Sequence, residues 1–365
     1  MDFSSLKKYV DSLYDTYGII SCDIAVNYKH KQVFRYSVGE AKKENLQWLY
    51  SMSKVITCTA LMRLIERGEL GLNDKVSDYL PEYADLYVRT KDGVKKAQND
   101  LLIWHLFGMR SGMTYNLWSP DLKKARENEN ATTRELVAAM AKEPLLFEPG
   151  TAYNYSLSHD VLAAVAEVIT GKTFHEFLKD EIFIPLGMTD IGFHPTEEDK
   201  KRFAKQYKYD FYRFKCNECP KTCEYRLSEK YESGGAGLYA TNDEYMKVLD
   251  ALANGGKAEN GYQLLKPETI DMLRKQTMKN DEAFDKLGYR YAHGVRVMTN
   301  KEVGQSLSPL GEFGWDGAAG SYGLVDTENN ISLVFTMNIL GFGRCYSEIH
   351  PQLRNRAYIG LKLDK

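Results

Sequence analysis

Ser51-Met52-Ser53-Lys54-Val55-Ile56-Thr57-Cys58-Thr59-Ala60-Leu61-Met62 decides how this chain is read. It joins an S-x-x-K tetrapeptide to a long apolar stretch that reads as a helix, running to Arg67 and ended by Gly68. A serine and a lysine three apart on a helix stand on one face, one above the other. The amine then lies within reach of the hydroxyl, at the helix end where backbone N–H groups have no intrahelical acceptor. A nucleophile, a base and donors for an oxyanion are three parts of an acyl-transfer site. Cys58, on the same helix, reads as a small buried apolar residue.

Upstream, Phe3, Leu6, Tyr9, Val10, Leu13 and Tyr14 recur at helical spacing, which predicts an amphipathic helix over 3–17. Ile19 to Tyr28 and Val33 to Val38 read as strands around a Lys-His-Lys turn. Residues 70–230 are dominated by helical patterns and loops, with helices at Arg134 to Lys142, Asp160 to Thr170 and Phe174 to Phe183. Past Gly234-Gly235, helices near 242–254 and 267–275 precede strands at 293–299, 311–316, 319–326 and 330–338, and a helix over 347–361. Strands thus sit at both ends of the sequence with a helical block between. The expected fold class is α+β: an antiparallel sheet built from both chain ends, flanked by terminal helices, plus a mostly helical second domain. The expected division is 1–70 with 232–365 for the sheet-plus-helix domain, and 71–231 for the helical one, with an inserted loop or strand segment near 200–231. The groove between them is the expected site.

With 365 residues, 43% hydrophobic and 27% charged, the chain has the composition of a soluble globular protein of two domains. A formal net charge of -2 gives no push toward nucleic acid or a membrane. No apolar run approaches the roughly 20 residues of a membrane helix, and the N-terminus lacks the continuous apolar core of a secretory signal. A cytoplasmic location is the expectation, and with it six unpaired cysteines at 22, 58, 216, 219, 223 and 345.

Two further segments strengthen the tetrapeptide. One is Glu148-Pro-Gly-Thr-Ala-Tyr-Asn-Tyr-Ser-Leu-Ser158, followed at once by a helix. The other is Phe313-Gly-Trp-Asp-Gly-Ala-Ala-Gly-Ser-Tyr322, on the strands near the C-terminus. With these three motifs in order, the chain resembles the serine β-lactamase-related superfamily: class C β-lactamases, DD-peptidases, and the carboxylesterases and acyltransferases on the same β-lactamase/transpeptidase-like fold. The resemblance spans about 17–360, with support from LIERGELGLNDKVSDYLPEY (64–83), LLIWHLFGMRSGM (101–113), IFIPLGMTDIGF (182–193) and SGGAGLYATNDEY (233–245). It implies Ser51 as nucleophile, Lys54 as its partner in proton transfer, and Tyr155 as the tyrosine of a Tyr-x-Asn motif. Trp315-Asp316-Gly317 matches the strand motif written Lys-Thr-Gly in β-lactamases, and the oxyanion hole would be the backbone N–H groups of Ser51 and Ala318.

Lysine and tyrosine, with ordinary pKa values near 10, act as a base near neutrality only when the surroundings favour their deprotonated forms. As a coupled pair, Lys54 and Tyr155 are not separated into base and helper. Gly317 allows close backbone approach to a substrate carbonyl. Two departures bear on substrate, and both place their residues at the substrate: Leu157 stands where the motif has asparagine, and Trp315 where it has lysine. The first removes an amide for an acylamino group; the second removes a cation for the carboxylate that β-lactams and D-alanyl peptides carry. Uncharged or apolar acyl substrates are favoured. The expected activity is a carboxylesterase with possible acyl transfer, on a small-molecule ester or amide, without cofactor or metal. A β-lactamase or D-alanyl peptidase is the alternative, and a non-catalytic binding or assembly relative is the alternative from another class.

Other eye-catching residues have plainer readings. His105 reads as packing and His159 as structural support, because lysine and tyrosine already fill the base role. Asp316, alternating with Trp315 on a strand, is expected to face away from the groove. Cys216-x-x-Cys219-x-x-x-Cys223 is half a zinc pattern without its other half and reads as free thiols. Residues 200–230 hold ten Lys or Arg against four Asp or Glu, interleaved with Tyr and Phe, and read as solvated strands rather than a nucleic-acid surface.

Overall fold

Alternation along the strands sets the layering. Ile331, Leu333 and Phe335 fill one apolar cluster while Val334 belongs to another, as successive side chains of a strand point to opposite faces. A computed structural model describes residues 1–275 and 287–363; residues 276–286 and 364–365, inside the segment 232–365 expected for the sheet domain, lie outside it. The strands are β1 (Cys22–Tyr28), β2 (Lys31–Val38), β3 (Gln206–Asp210), β4 (Lys215–Cys219), β5 (Tyr289–Tyr291), β6 (Arg296–Met298), β7 (Phe313–Gly314), β8 (Tyr322–Asp326) and β9 (Ile331–Thr336), besides shorter pairings. Seven of them form one sheet in the order β5-β6-β7-β8-β9-β1-β2, with every pairing antiparallel. The two ends of the chain meet where β1 pairs with β9, Ala25 opposite Val334. The α+β class with a sheet built from both ends is therefore the observed architecture.

Five helices build the layers around this sheet: α1 (Ser4–Asp11), α2 (Ser53–Glu66), α3 (Ser158–Thr170), α4 (Asn242–Ala253) and α5 (His350–Leu361). One sheet face buries Ile24, Val26, Leu324, Leu333 and Phe335 against Leu6 and Val10 of α1 and Leu353 and Tyr358 of α5. The other face packs on α4 and α2 in a larger cluster that also takes in α3 and the segments from Leu70 to Phe193. α2 is buried all round, from Ser53 to Met62 and at Leu64, as a helix in the middle of a core must be.

The structure amends several expected boundaries. The helix expected over 3–17 breaks at Ser12 into Ser4–Asp11 and Leu13–Tyr17. The helix from Phe174 ends at Leu178, and Lys179–Phe183 takes a wider π turn. The turn between β1 and β2 needs positive φ at both Lys29 (51°) and His30 (65°), the geometry that matches strand twist in a tight hairpin. The edge strand β5 has no counterpart in the expected set. The basic segment near 200–231 contains the hairpin β3–β4, which joins Ile339–Leu340 in a separate three-stranded sheet.

Candidate active site

Ser51 lies in a 3₁₀ turn, Tyr50–Met52, that feeds directly into α2. The preceding Tyr50 has φ +48°, a left-handed conformation that is costly for a bulky residue. It is held there by burial and by its hydroxyl donating to Gln206 Oε1 at 2.7 Å. This bend re-aims the chain so that Ser51 stays partly exposed while its neighbours are buried.

Lys54, one turn on, is fully buried. A buried ammonium needs compensating contacts. Its Nζ donates to the Gly235 carbonyl at 2.7 Å and to Ser51 Oγ at 3.3 Å, with Tyr115 Oη at 3.5 Å. It also stands over the Tyr155 ring, 4.6 Å from the centroid. Gly235 is positioned by the segment 233–238, which lies along α2: Thr57 Oγ1 donates to the Gly234 carbonyl at 2.7 Å, and the Leu238 N–H donates to Ser53 Oγ at 3.2 Å. That segment is tied to α3, since Asp160 Oδ1 accepts from Ser233 Oγ at 2.5 Å and Tyr231 Oη at 2.6 Å. A Cβ on Gly235 would sit 2.8 Å from Asp160 Oδ2, so a larger residue here would have to displace that carboxylate.

Tyr155 brings its phenol oxygen to 2.7 Å from Ser51 Oγ. The same oxygen accepts the Trp315 indole N–H at 3.2 Å, and the two rings stack at 5.8 Å. Tyr115 stacks on the opposite side of Tyr155 at 5.5 Å. Burial, with Tyr155 beside it, holds the Tyr115 phenol well above the ordinary tyrosine range, so it stays protonated.

Gly317 brings the β7–β8 connection against the Ser51 turn: a Cβ there would meet the Leu49 carbonyl oxygen at 2.7 Å. Its own N–H donates to the Ser321 carbonyl and its carbonyl accepts from Tyr346 Oη at 3.1 Å. The next residue, Ala318, is partly exposed and lines the cavity.

Ser51 opens into a cavity of about 590 Å³, within the range of small-molecule sites. Its walls are mainly aromatic, with Tyr115, Tyr153, Tyr155, Tyr225, Trp315 and Tyr346 among them. The fixed cation among its described lining residues is Arg296, whose Nη1 lies 3.0 Å from Asp316 Oδ1.

The structure thus brings Ser51, Lys54, Tyr155, Trp315, Gly317 and Ala318 together. Leu157 is left out: it is 4% exposed, packs in the core at the start of α3, and does not line this cavity. Asp316, expected to face away, lines the cavity beside Arg296. His159 is fully buried at 3.2 Å from the Phe107 carbonyl, and His105 Nδ1 accepts the Leu102 N–H beneath Gly150; neither touches Ser51. Cys216 and Cys219 are an odd number apart on β4 and face opposite sides, while Cys223 is buried against the Ala236 carbonyl. Sequence reasoning missed Tyr115, Tyr153, Tyr225 and Tyr346. Tyr115 and Tyr153 lie within or beside the quoted stretches 101–113 and 148–158, but in a chain with 25 tyrosines nothing in the pattern singles them out.

Comparison with known proteins identifies the family and the fold. The beta-lactamase family profile matches residues 6–355. Esterase EstB of Burkholderia gladioli is 27% identical over 381 aligned positions, covering 93% of this chain and 92% of that protein. Lovastatin esterase of Penicillium rubens is 32% identical over 261, covering 67% of this chain and 64% of its own length. Among solved structures, EstCE1, described as a hydrolase with promiscuous acyltransferase activity, superposes with a TM-score of 0.81 at 24% identity, over 98% of this chain and 99% of that one. With a family match across nearly its whole length and the same fold, the chain belongs to the beta-lactamase family of serine hydrolases.

Proposed function

We propose that this protein is a carboxylic ester hydrolase that works through an acyl-enzyme on Ser51 and can pass the acyl group to an alcohol. The observation that carries the reading is Ser51 Oγ, 2.7 Å from the Tyr155 phenol oxygen and 3.3 Å from Lys54 Nζ, at the mouth of an aromatic cavity. Both partners are within the reach proton transfer requires. Ser51 Oγ attacks the ester carbonyl, its proton passing to the Lys54–Tyr155 pair. The Tyr155 oxygen accepts the Trp315 N–H, and Lys54 Nζ stands 4.6 Å from the centre of the Tyr155 ring, so the pair is held together beside Ser51. The tetrahedral oxyanion is held by the Ser51 and Ala318 N–H groups. The C–O bond to the alcohol breaks as the alcohol takes the proton, and water or a second alcohol then attacks the acyl carbon by the reverse route. Trp315 and Gly317 shape the substrate's seat.

Esters are favoured over β-lactams and D-alanyl peptides by charge. Trp315 replaces a lysine, and Arg296 is already matched by Asp316. A substrate carboxylate would find no uncommitted cation among the described lining residues. The esterase names of EstB and lovastatin esterase agree with this choice. Turnover of a short-chain nitrophenyl ester beside a chromogenic cephalosporin tests it. The ester should be hydrolysed with the higher kcat/KM, and faster cephalosporin turnover would refute the assignment.

A further inference from the structure

The hairpin β3–β4 ends in the five-residue run Phe211-Tyr212-Arg213-Phe214-Lys215, every residue of it exposed. Tyr212 is 98% exposed and Phe214 68%, an unusual outlay of aromatic surface at one point. The tip is held in place from below. Asp210 Oδ1 accepts the N–H groups of Tyr212 at 3.0 Å and Arg213 at 3.1 Å, and Tyr209 and Phe211 pack on Phe342 at 4.4 and 6.2 Å. Phe342 lies four residues before Tyr346, which lines the cavity. The tip therefore packs on the segment that leads to this wall of the cavity.

Charge follows the aromatics. Lys208, Arg213 and Lys215 are all exposed around the tip, while Asp210 turns Oδ1 onto the backbone and keeps Oδ2 3.9 Å from Arg213 Nε. Elsewhere in 200–230 the cations are largely matched by carboxylates, Lys200 by Glu197, Lys201 by Glu198 and Arg202 by Asp190, so the charge offered to a partner is that of the tip. We propose that this tip docks the protein on an anionic lipid bilayer surface, with Tyr212 and Phe214 at headgroup level and Lys208, Arg213 and Lys215 reaching lipid phosphates. Exposed rings interleaved with long cationic side chains suit an interface that is apolar below and anionic above. A second copy of the chain suits it poorly, because symmetric pairing of two tips would set like cations against each other. The near-neutral total charge, which predicts no membrane contact, averages this local surface away.

Co-sedimentation of the full chain with vesicles tests the proposal, comparing phosphatidylcholine alone with an equal mixture of phosphatidylcholine and phosphatidylglycerol. Wild type should pellet with the mixed vesicles and at least about tenfold less with the neutral ones or at high salt. Tyr212→Ser/Phe214→Asn and, separately, Lys208→Gln/Arg213→Gln/Lys215→Gln should each lower binding by a similar factor with an unchanged thermal midpoint. Failure of wild type to pellet, or full binding by both variants, overturns the proposal. So does salt-independent dimerisation that the variants abolish without any vesicle binding, which would assign the tip to a second copy.

Discussion

Tyr155→Phe removes one oxygen from the site and leaves its stacking with Tyr115 and Trp315 in place. Because that oxygen is the nearest polar atom recorded to Ser51 Oγ, the variant should lose about 10²–10⁴ in kcat on an ester with little change in KM. Trp315→Phe keeps an aromatic wall and deletes only the N–H donated to Tyr155, so it should cost about fivefold, the worth of one hydrogen bond. Equal losses in the two variants would contradict the ordering. Leu157 makes a contrasting case. Restoring the motif's asparagine by Leu157→Asn places an amide in the core, away from the cavity. It should lower stability by about 1–3 kcal/mol in urea unfolding without conferring cephalosporin turnover.

The elements that carry these residues are brought close by glycines. At Gly317 the β7–β8 connection passes so near the Ser51 turn that a Cβ would lie 2.7 Å from the Leu49 carbonyl oxygen, and backbone there cannot give way cheaply. Gly317→Val should push the connection off the turn, move the Ala318 N–H away from the acyl carbonyl, and reduce kcat/KM at least about a hundredfold, the scale of losing one oxyanion donor. Far-UV circular dichroism should stay that of wild type; wild-type kcat/KM in this variant would remove the oxyanion role from Ala318. The strands and helices themselves were legible because their periodicities are strong. Expected strands at 319–326 and 330–338 appear as Tyr322–Asp326 and Ile331–Thr336, and the helix near 242–254 as Asn242–Ala253. What stayed hidden depends on contacts distant in sequence. The left-handed Tyr50 is held by Gln206, 156 residues further along the chain. Among the site residues, Ser51, Lys54, Tyr155, Trp315 and Gly317 meet at one cavity, while the orientation of Leu157 and Asp316, in the same motifs, was not legible, since each lies at a junction where strand or helix periodicity stops.

At the scale of the whole molecule, buried histidines set the acid limit. His159 is completely buried, and desolvation pushes it down from 6.5 to about 3, with the nearby Lys54 adding to the effect. Desolvation takes His105 to about 4. As pH falls below about 6.5 the unfolded chain binds protons that the folded chain refuses. Stability fully present above that pH is therefore lost progressively toward 3. Glu167 opposes this. Burial raises it to about 7, so its contribution is complete below 4.5 and fades as pH rises through 7. With four histidines pushed down, His105, His159, His175 and His293, against two carboxyls pushed up, Glu167 and Glu312, urea midpoints should drop between pH 6.5 and 4.5, and His159→Gln should show a slope shallower by up to about 1.4 kcal/mol per pH unit. An unchanged slope would mean that His159 is not neutral in the fold. We assign the covalent chemistry to Ser51 alone among the 365 residues. Intact-mass and peptide-mapping analysis after treatment with a fluorophosphonate tests it most directly. One adduct per chain is expected, on the peptide containing Ser51, and none on Ser51→Ala; no adduct on wild type, or an adduct that survives in Ser51→Ala, would rule Ser51 out as the nucleophile.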